Sequence, residues 1–495
     1  MVKMAKKQPV KQADNQKAII AAIIVFAVLL VLVVGYSVIR YGTGILQRSV
    51  ATVSIGNQKI TAMDFRIVYA DTRGSFLYQY GSLLEMYGVD LSTIDTQTCL
   101  FDTSMTWKQY FLNQTTSSVL NTCTLLDLAE KDGVTLSETS AIKVANYIQS
   151  IKDAAGEEGI SVKKYLTEVY GRGTTLKDVE SSVTKTYLAS DYYNLVYGGF
   201  KAAVTDEQIK EYYEEHKDSY DYAELYSFPI KYRADDTDTT LPTSVEARNT
   251  AEEIREKVTA ANFDSVVKEY ADDDFETAYY DSFSLADDTP EREWIISEAQ
   301  PGEKQVLTDE DNHELHVVIY IRRYLPEEPT VNVRHILLKT TELQTIRSEA
   351  TMTERAQIEA ANAAAELANA QAKEKAEALL AELKNAGEEA FIAAARQNSA
   401  DTGSNAEGGL YEDVKKGDMV EAFNDWIFDP SRQPGDMDIV ESEYGYHVMY
   451  FVSKGDYEYA VSIKKILTDE RYQEFIDLKA EEADYKINEY GISII

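Results

Sequence analysis

The strongest constraint on how this chain can fold is that one pattern is written twice, in the same order, in its second half. Tyr226-Ser227-Phe228-Pro229-Ile230-Lys231 is matched by Arg334-His335-Ile336-Leu337-Leu338-Lys339. A helix rich in Ala, Glu and Lys follows each. Then comes a Phe-led helix running into an acidic loop, Phe263 to Asp273 and Phe391 to Asp401. Trp294-Ile295 and Trp426-Ile427 come next, then Pro301-Gly302-Glu303 and Pro434-Gly435-Asp436, then His316-Val317 and His447-Val448 opening a strand. Six features in one order indicate an internal duplication of a strand–helix–strand unit.

Upstream, Val50–Ile60 alternates like a strand, and from Thr61 to about Ser219 apolar residues recur at helical spacing. Trp107–Lys131 and Leu176–Tyr197 read as helices broken by Gly156–Gly159 and Gly171–Gly173. Tyr187, Tyr192, Tyr193, Tyr197, Tyr212 and Tyr213 fit a helical core. Thr341 to Gln371 is an Ala- and Glu-rich insertion in the second unit and reads as a solvated helical extension.

Ala18–Ile39 is 22 residues without a charge. As a helix it spans ~33 Å, enough for a bilayer core. Five Lys and one Asp precede it, a bias that keeps the N-terminus in the cytoplasm. The run is long for a signal peptide, and no small-residue cleavage site follows. The expectation is therefore an uncleaved anchor with the rest of the chain outside the cell membrane. Beyond the anchor 44 basic residues face 83 acidic ones, a net charge of −39. Such a surface repels phosphates, so nucleic acid is excluded as a partner. Two Cys, Cys99 and Cys123, allow neither a disulfide framework nor a Cys-rich zinc module. Free thiols are favoured over a bridge, because a helix from Trp107 carries Cys123 away from Cys99. His313-Glu314-Leu315-His316 lacks further ligands, so neither a metal nor a cofactor is expected. No G-x-S-x-G, H-E-x-x-H or P-loop supports a hydrolase.

The second unit, about Val331 to Ser453, resembles the parvulin family of peptidyl-prolyl isomerases. His335 sits in VRHILLK, Asp401 in NSADTGS, Met419 and Phe423 in GDMVEAF, and His447 in YGYHVMYF. The resemblance implies that His335, Asp401 and His447 form the catalytic group and that Met419 and Phe423 wall a proline pocket. Leu410 is a weaker pocket candidate, because the family's Gly-Gly-Asp-Leu-Gly is altered here to Gly408-Gly409-Leu410-Tyr411. The first unit keeps His316 and Asp272/Asp273 but has Ser227 where the second has His335, and it resembles a degenerate parvulin unit that binds or spaces.

The wider arrangement resembles exported foldases of the SurA/PrsA type. It implies an α+β chain: a basic tail (1–17), a transmembrane helix (18–39), a mostly helical chaperone domain (50–219), two parvulin-like units of antiparallel sheet with surrounding helices (220–326 and 328–455) and a C-terminal helix (456–495). The implied function is a single-pass, membrane-anchored, extracytoplasmic prolyl isomerase and chaperone. Its partners are the X-Pro segments of unfolded or partly folded exported proteins. A non-catalytic holdase is the alternative, and a wall-tethered structural protein ranks last.

Overall fold

The computed structural model describes residues 42–234, 240–271, 275–347 and 351–495. The anchor expected at 18–39 and the basic tail before it lie outside the described residues, as do Asp272 and Asp273. Among the described residues no helix is long and apolar enough to cross a membrane. The chain divides into two compact units, the residues up to Phe200 together with Glu470–Ile495, and Lys201–Asp469.

The first unit opens with α1 (Ile45–Ser49), β1 (Ala51–Ile55) and β2 (Gln58–Thr61), followed by the helices α2 (Ala62–Met86), α3 (Trp107–Asp132), α4 (Glu138–Glu157), α5 (Val162–Tyr170) and α6 (Leu176–Ala202). Side-chain caps start these helices. Thr61 and Asp64 form a reciprocal capping box on α2, and Thr106, Ser137 and Ser161 accept from the first turns of α3, α4 and α5. Each such cap contributes about 1 kcal/mol. Cys123 is buried on α3 among Val53, Ile60, Phe65 and Tyr192, and both cysteines are free thiols. Burial pushes the Cys123 thiol up to about 11, so it stays protonated and inert.

The second unit begins with α7 (Asp206–Glu215). Then come β3 (Tyr222–Lys231), α8 (Ser244–Lys257), α9 (Phe263–Val267), β4 (Tyr279–Ser284), α10 (Pro290–Ser297), β5 (Lys304–Asp309) and β6 (Glu314–Tyr324). The pattern repeats as β7 (Pro329–Lys339), α11 (Met352–Leu383), α12 (Glu388–Asn398), β8 (Leu410–Val414), α13 (Glu421–Ile427), β9 (Met437–Ser442) and β10 (Gly445–Tyr457). The duplication read from sequence is thus two antiparallel sheets of one topology, β4-β3-β6-β5 and β8-β7-β10-β9. Residues alternate between the faces of each sheet. In the second sheet Ile336, Leu338 and Val448 pack under α11 and α12 with Leu379 and Phe391. Val333, Met449 and Phe451 turn the other way, toward Phe423, Trp426 and Ile427 of α13.

Two expectations change. The insertion is an irregular strap, 340–347, followed by a 32-residue helix. Asn362 and Asn369 of that helix each donate to and accept from the strap backbone, at Gln344 and Thr341. The C-terminal segment is not helix alone. After α14 (Glu458–Glu482) come β11 (Tyr485–Ile487) and α15 (Glu489–Ser493), and β11 pairs with β1. The sheet edge supplied the pairing that amphipathic spacing does not encode.

Gly409 fixes the approach of β8 to β7. It has φ +77°, and a Cβ there would lie 2.2 Å from the His335 carbonyl oxygen. Gly409→Ala is therefore expected to destabilise the second parvulin-like unit by about 3 kcal/mol or more. Urea unfolding followed at Trp426 measures this, and a loss below about 1 kcal/mol would show that β8 can shift without cost.

Candidate active site

The site lies on the α13 face of the second sheet, at the centre of the β7–β10 ladder. His335 pairs with Met449 and His447 with Leu337, which makes the two histidines diagonal neighbours on one face. Their rings stack at 5.2 Å with an 18° interplanar angle, and the two Nδ1 atoms are 3.0 Å apart. His335 Nε2 is 2.8 Å from Asp401 Oδ2, and His447 Nε2 is 2.7 Å from Ser442 Oγ. Both rings are buried.

Asp401 is presented by the loop after α12. The Ala400 N–H donates to the Leu337 carbonyl and Ser399 Oγ accepts from the Leu337 N–H, so the loop is clipped to β7. Arg334 adds a second clip, donating to Glu388 and to the carbonyls of Glu407 and Gly408. The Asp401 carboxylate accepts from His335, from Ser404 Oγ at 2.5 Å and from Tyr411 OH at 3.0 Å, all at Oδ2, while the Gly403 N–H meets Oδ1 at 3.0 Å. The His335 hydrogen bond outweighs burial and holds the carboxyl well below the usual carboxylate range. Burial pushes the Tyr411 hydroxyl up to about 12, and the Asp401 charge adds to this. Burial, then repulsion by His335, pushes His447 down to about 4.

These protonation states orient the whole chain. An ionised carboxylate only accepts, so His335 Nε2, Ser404 and Tyr411 all donate to Asp401. Beyond His335 the chain continues through the Nδ1–Nδ1 hydrogen bond between the two rings to the His447 Nε2–Ser442 Oγ hydrogen bond.

Phe423 stands edge-on to both imidazoles, 5.4 Å from His335 and 5.5 Å from His447. It is only 2% exposed, so it is a floor beneath the histidines rather than an open wall. Met419 and Tyr411 are the half-buried side chains over that core. Of the residues singled out from sequence, His335, Asp401, His447 and Phe423 are brought together, and Met419 packs against their cluster. Leu410 is not. It pairs with Arg334, on the face opposite His335, whereas Tyr411 pairs with Val333 on the histidine face. The alternation of β8 gives the inward position to Tyr411, whose ring lies 5.4 Å from His335. Ser404, Tyr411 and Ser442 were missed. The signal for Ser404 was present: it lies three residues after Asp401 in a Gly-containing loop.

The first sheet carries a polar replacement. By register, Ser227 stands where His335 does, His316 where His447 does, and Glu291 holds the place of Phe423, three residues before the helix Trp in each unit. Ser227 donates to Glu291 Oε1 at 2.6 Å, and His316 Nδ1 meets the same oxygen at 2.5 Å. Burial opposes both charges, but their mutual hydrogen bond prevails, lowering the Glu291 carboxyl and raising the His316 imidazole.

Residues 315–454 match the family model of the PPIC-type PPIASE domain. That span holds every residue of the second site, and the chain carries a parvulin-type peptidyl-prolyl isomerase domain. Among solved structures it is similar to the peptidylprolyl isomerase PrsA of Bacillus anthracis (13% identity, 75% of this chain and 97% of that one, TM-score 0.19). It is also similar to PrsA of Bacillus subtilis (16%, 62% and 87%, TM-score 0.19). A third match is to a Campylobacter jejuni structure described as one of two SurA-like chaperones (16%, 65% and 90%, TM-score 0.18). No curated protein matches the chain. The isomerase assignment rests on the family match and the site.

A depressed histidine has a signed consequence. The unfolded chain binds a proton at His447 near pH 6.5 and the folded chain only near pH 4, so stability falls as pH drops through that window and levels below it. The full effect is roughly 3 kcal/mol. His447→Asn is expected to flatten this part of the pH–stability curve relative to the parent chain. Parallel curves from pH 7 to pH 4.5 in urea titrations would sink the assignment.

Proposed function

We propose that this chain is a membrane-anchored, extracytoplasmic peptidyl-prolyl isomerase and chaperone that assists the folding of exported proteins. The observation that carries the isomerase part is the Ser442–His447–His335–Asp401 chain, which runs across β9, β10 and β7 to the loop after α12, above Phe423. Rotation about an X-Pro amide meets a barrier of about 18–20 kcal/mol and breaks no bond. Catalysis then needs a dry cup for the pyrrolidine ring and a fixed field at the carbonyl, rather than a nucleophile. Asp401 supplies a charge fixed by four donors, and the buried imidazoles hold it in place. Met419 and Tyr411 are the side chains a proline ring meets. Met419 must swing to admit it, which an unbranched thioether does at little cost.

The uncharged run at 18–39 and the lysines before it support the anchor, and the −39 charge beyond it suits a chain that stays soluble beside sticky clients. One observation favours the holdase reading instead: Phe423 is sealed, so the cup is closed in the free protein.

A protease-coupled assay on a short X-Pro peptide decides between them. The full chain is expected to accelerate isomerisation, Asp401→Ala to lose about tenfold or more, and Met419→Ile to lose a similar factor while Met419→Leu stays near the parent rate. No acceleration by folded protein would leave the holdase. Protease added to intact cells is expected to remove everything beyond residue 40 and spare the N-terminal tail.

A further inference from the structure

Among the described residues, the far end of α2 leaves an apolar strip partly exposed beside α3. Phe76, Tyr80, Leu83 and the capping Tyr87 recur at helical spacing along one side. Leu83 is 45% exposed, Met86 75% and Tyr87 70%. Phe101 joins them from the loop before α3: it is 63% exposed and lies 6.2 Å from Phe76. The loop is anchored. Cys99 N–H donates to the Met105 carbonyl and Trp107 N–H to the Gln97 carbonyl, and Thr98 bridges to Thr106. Below it, Cys99, Trp107 and Phe111 are fully buried. The face is therefore held open in advance, and a ligand would not bear the cost of ordering it.

Its charge selects the occupant. From Gly74 to Trp107 the chain has no Lys, Arg or His, and four acids, Glu85, Asp90, Asp95 and Asp102. Asp95 is bonded to Arg73, while the other three are exposed at the rim. Two copies of this face would set like charges against each other, whereas a segment with basic residues beside its apolar ones would meet complementary charge.

We propose that this face binds unfolded polypeptide segments in which aromatic or aliphatic residues are interspersed with Lys and Arg. The proposal rests on the chaperone reading above and assigns it a surface distinct from the isomerase site. Extended segments suit it, since the exposed side chains form a strip rather than a closed pocket.

The test uses the full chain in detergent and two fluorescent peptides of about 15 residues without proline, one of Trp, Leu and Arg and its twin with Glu for each Arg. At low salt the basic peptide is expected to bind about tenfold more tightly than its twin. Replacing Tyr80, Leu83 and Phe101 by Ser should weaken it about tenfold or more while the isomerase rate stays unchanged and the helical circular-dichroism signal shows the chain still folded at the assay temperature. Glu85→Gln with Asp90→Asn and Asp102→Asn, all surface changes, should bring the twins' affinities together. Unchanged peptide binding in both variants overturns the proposal. If the parent chain still suppresses aggregation of a chemically unfolded client, the chaperone reading stands and another surface serves it. If the parent chain suppresses none, that reading falls too. A dimer of the parent chain that the Ser variant abolishes would show the face to be a self-interface and overturn the proposal.

Discussion

The antiparallel register of β7 on β10 is the constraint on which the rest of the site depends. Because side chains alternate, a slip of one residue would turn His335 or His447 to the α11 face, where Ile336 and Val448 now pack. Two glycines hold the ladder's flanks tightly against β7. Gly409 comes within contact of the His335 carbonyl and Gly445 within contact of the Leu338 carbonyl, each with a backbone conformation that side chains resist. The positions of two histidines are thus fixed by residues that have no side chain. The electrostatics follow: burial and the neighbouring His335 ring lower His447, and the His335 hydrogen bond lowers Asp401.

The duplicated units show what the scaffold permits once that register is set. Ser227, Glu291 and His316 fill the places of His335, Phe423 and His447 and still satisfy one another. In the second unit the floor is a ring that contributes dispersion and no charge. In the first, a carboxylate sits at the same point and draws both neighbours onto itself. A buried ion pair with every partner satisfied is tolerated as structure. It puts a charge where the second sheet has an apolar ring. The two sheets therefore share one topology and differ in chemistry, with Ser227 and Glu291 in the first where the second has His335 and Phe423.

Sequence was informative wherever spacing alone decides an outcome. The order of elements, the paired His-Val strands and the Met-x-x-x-Phe turn were legible because each is local. Leu410 was misassigned for a reason that is not local: the β7–β8 pairing shifts between Val331 and Val333, and where it resumes, Tyr411 rather than Leu410 faces inward. Ser442 and Tyr411 acquire roles only through strands brought together in space. The strand after α14 was invisible because its partner, β1, lies more than 400 residues earlier.

Tyr411 shows why that omission matters chemically. Its hydroxyl is the third donor to a single oxygen of Asp401, so the charge nearest the cup is shared among His335, Ser404 and Tyr411. With three donors on one oxygen, the carboxylate is held in a single orientation toward His335. The phenol's ring also covers His335 from the half-buried side. One residue thus contacts both Asp401 and His335, and it does so through the same edge-strand alternation that places Leu410 on the other face.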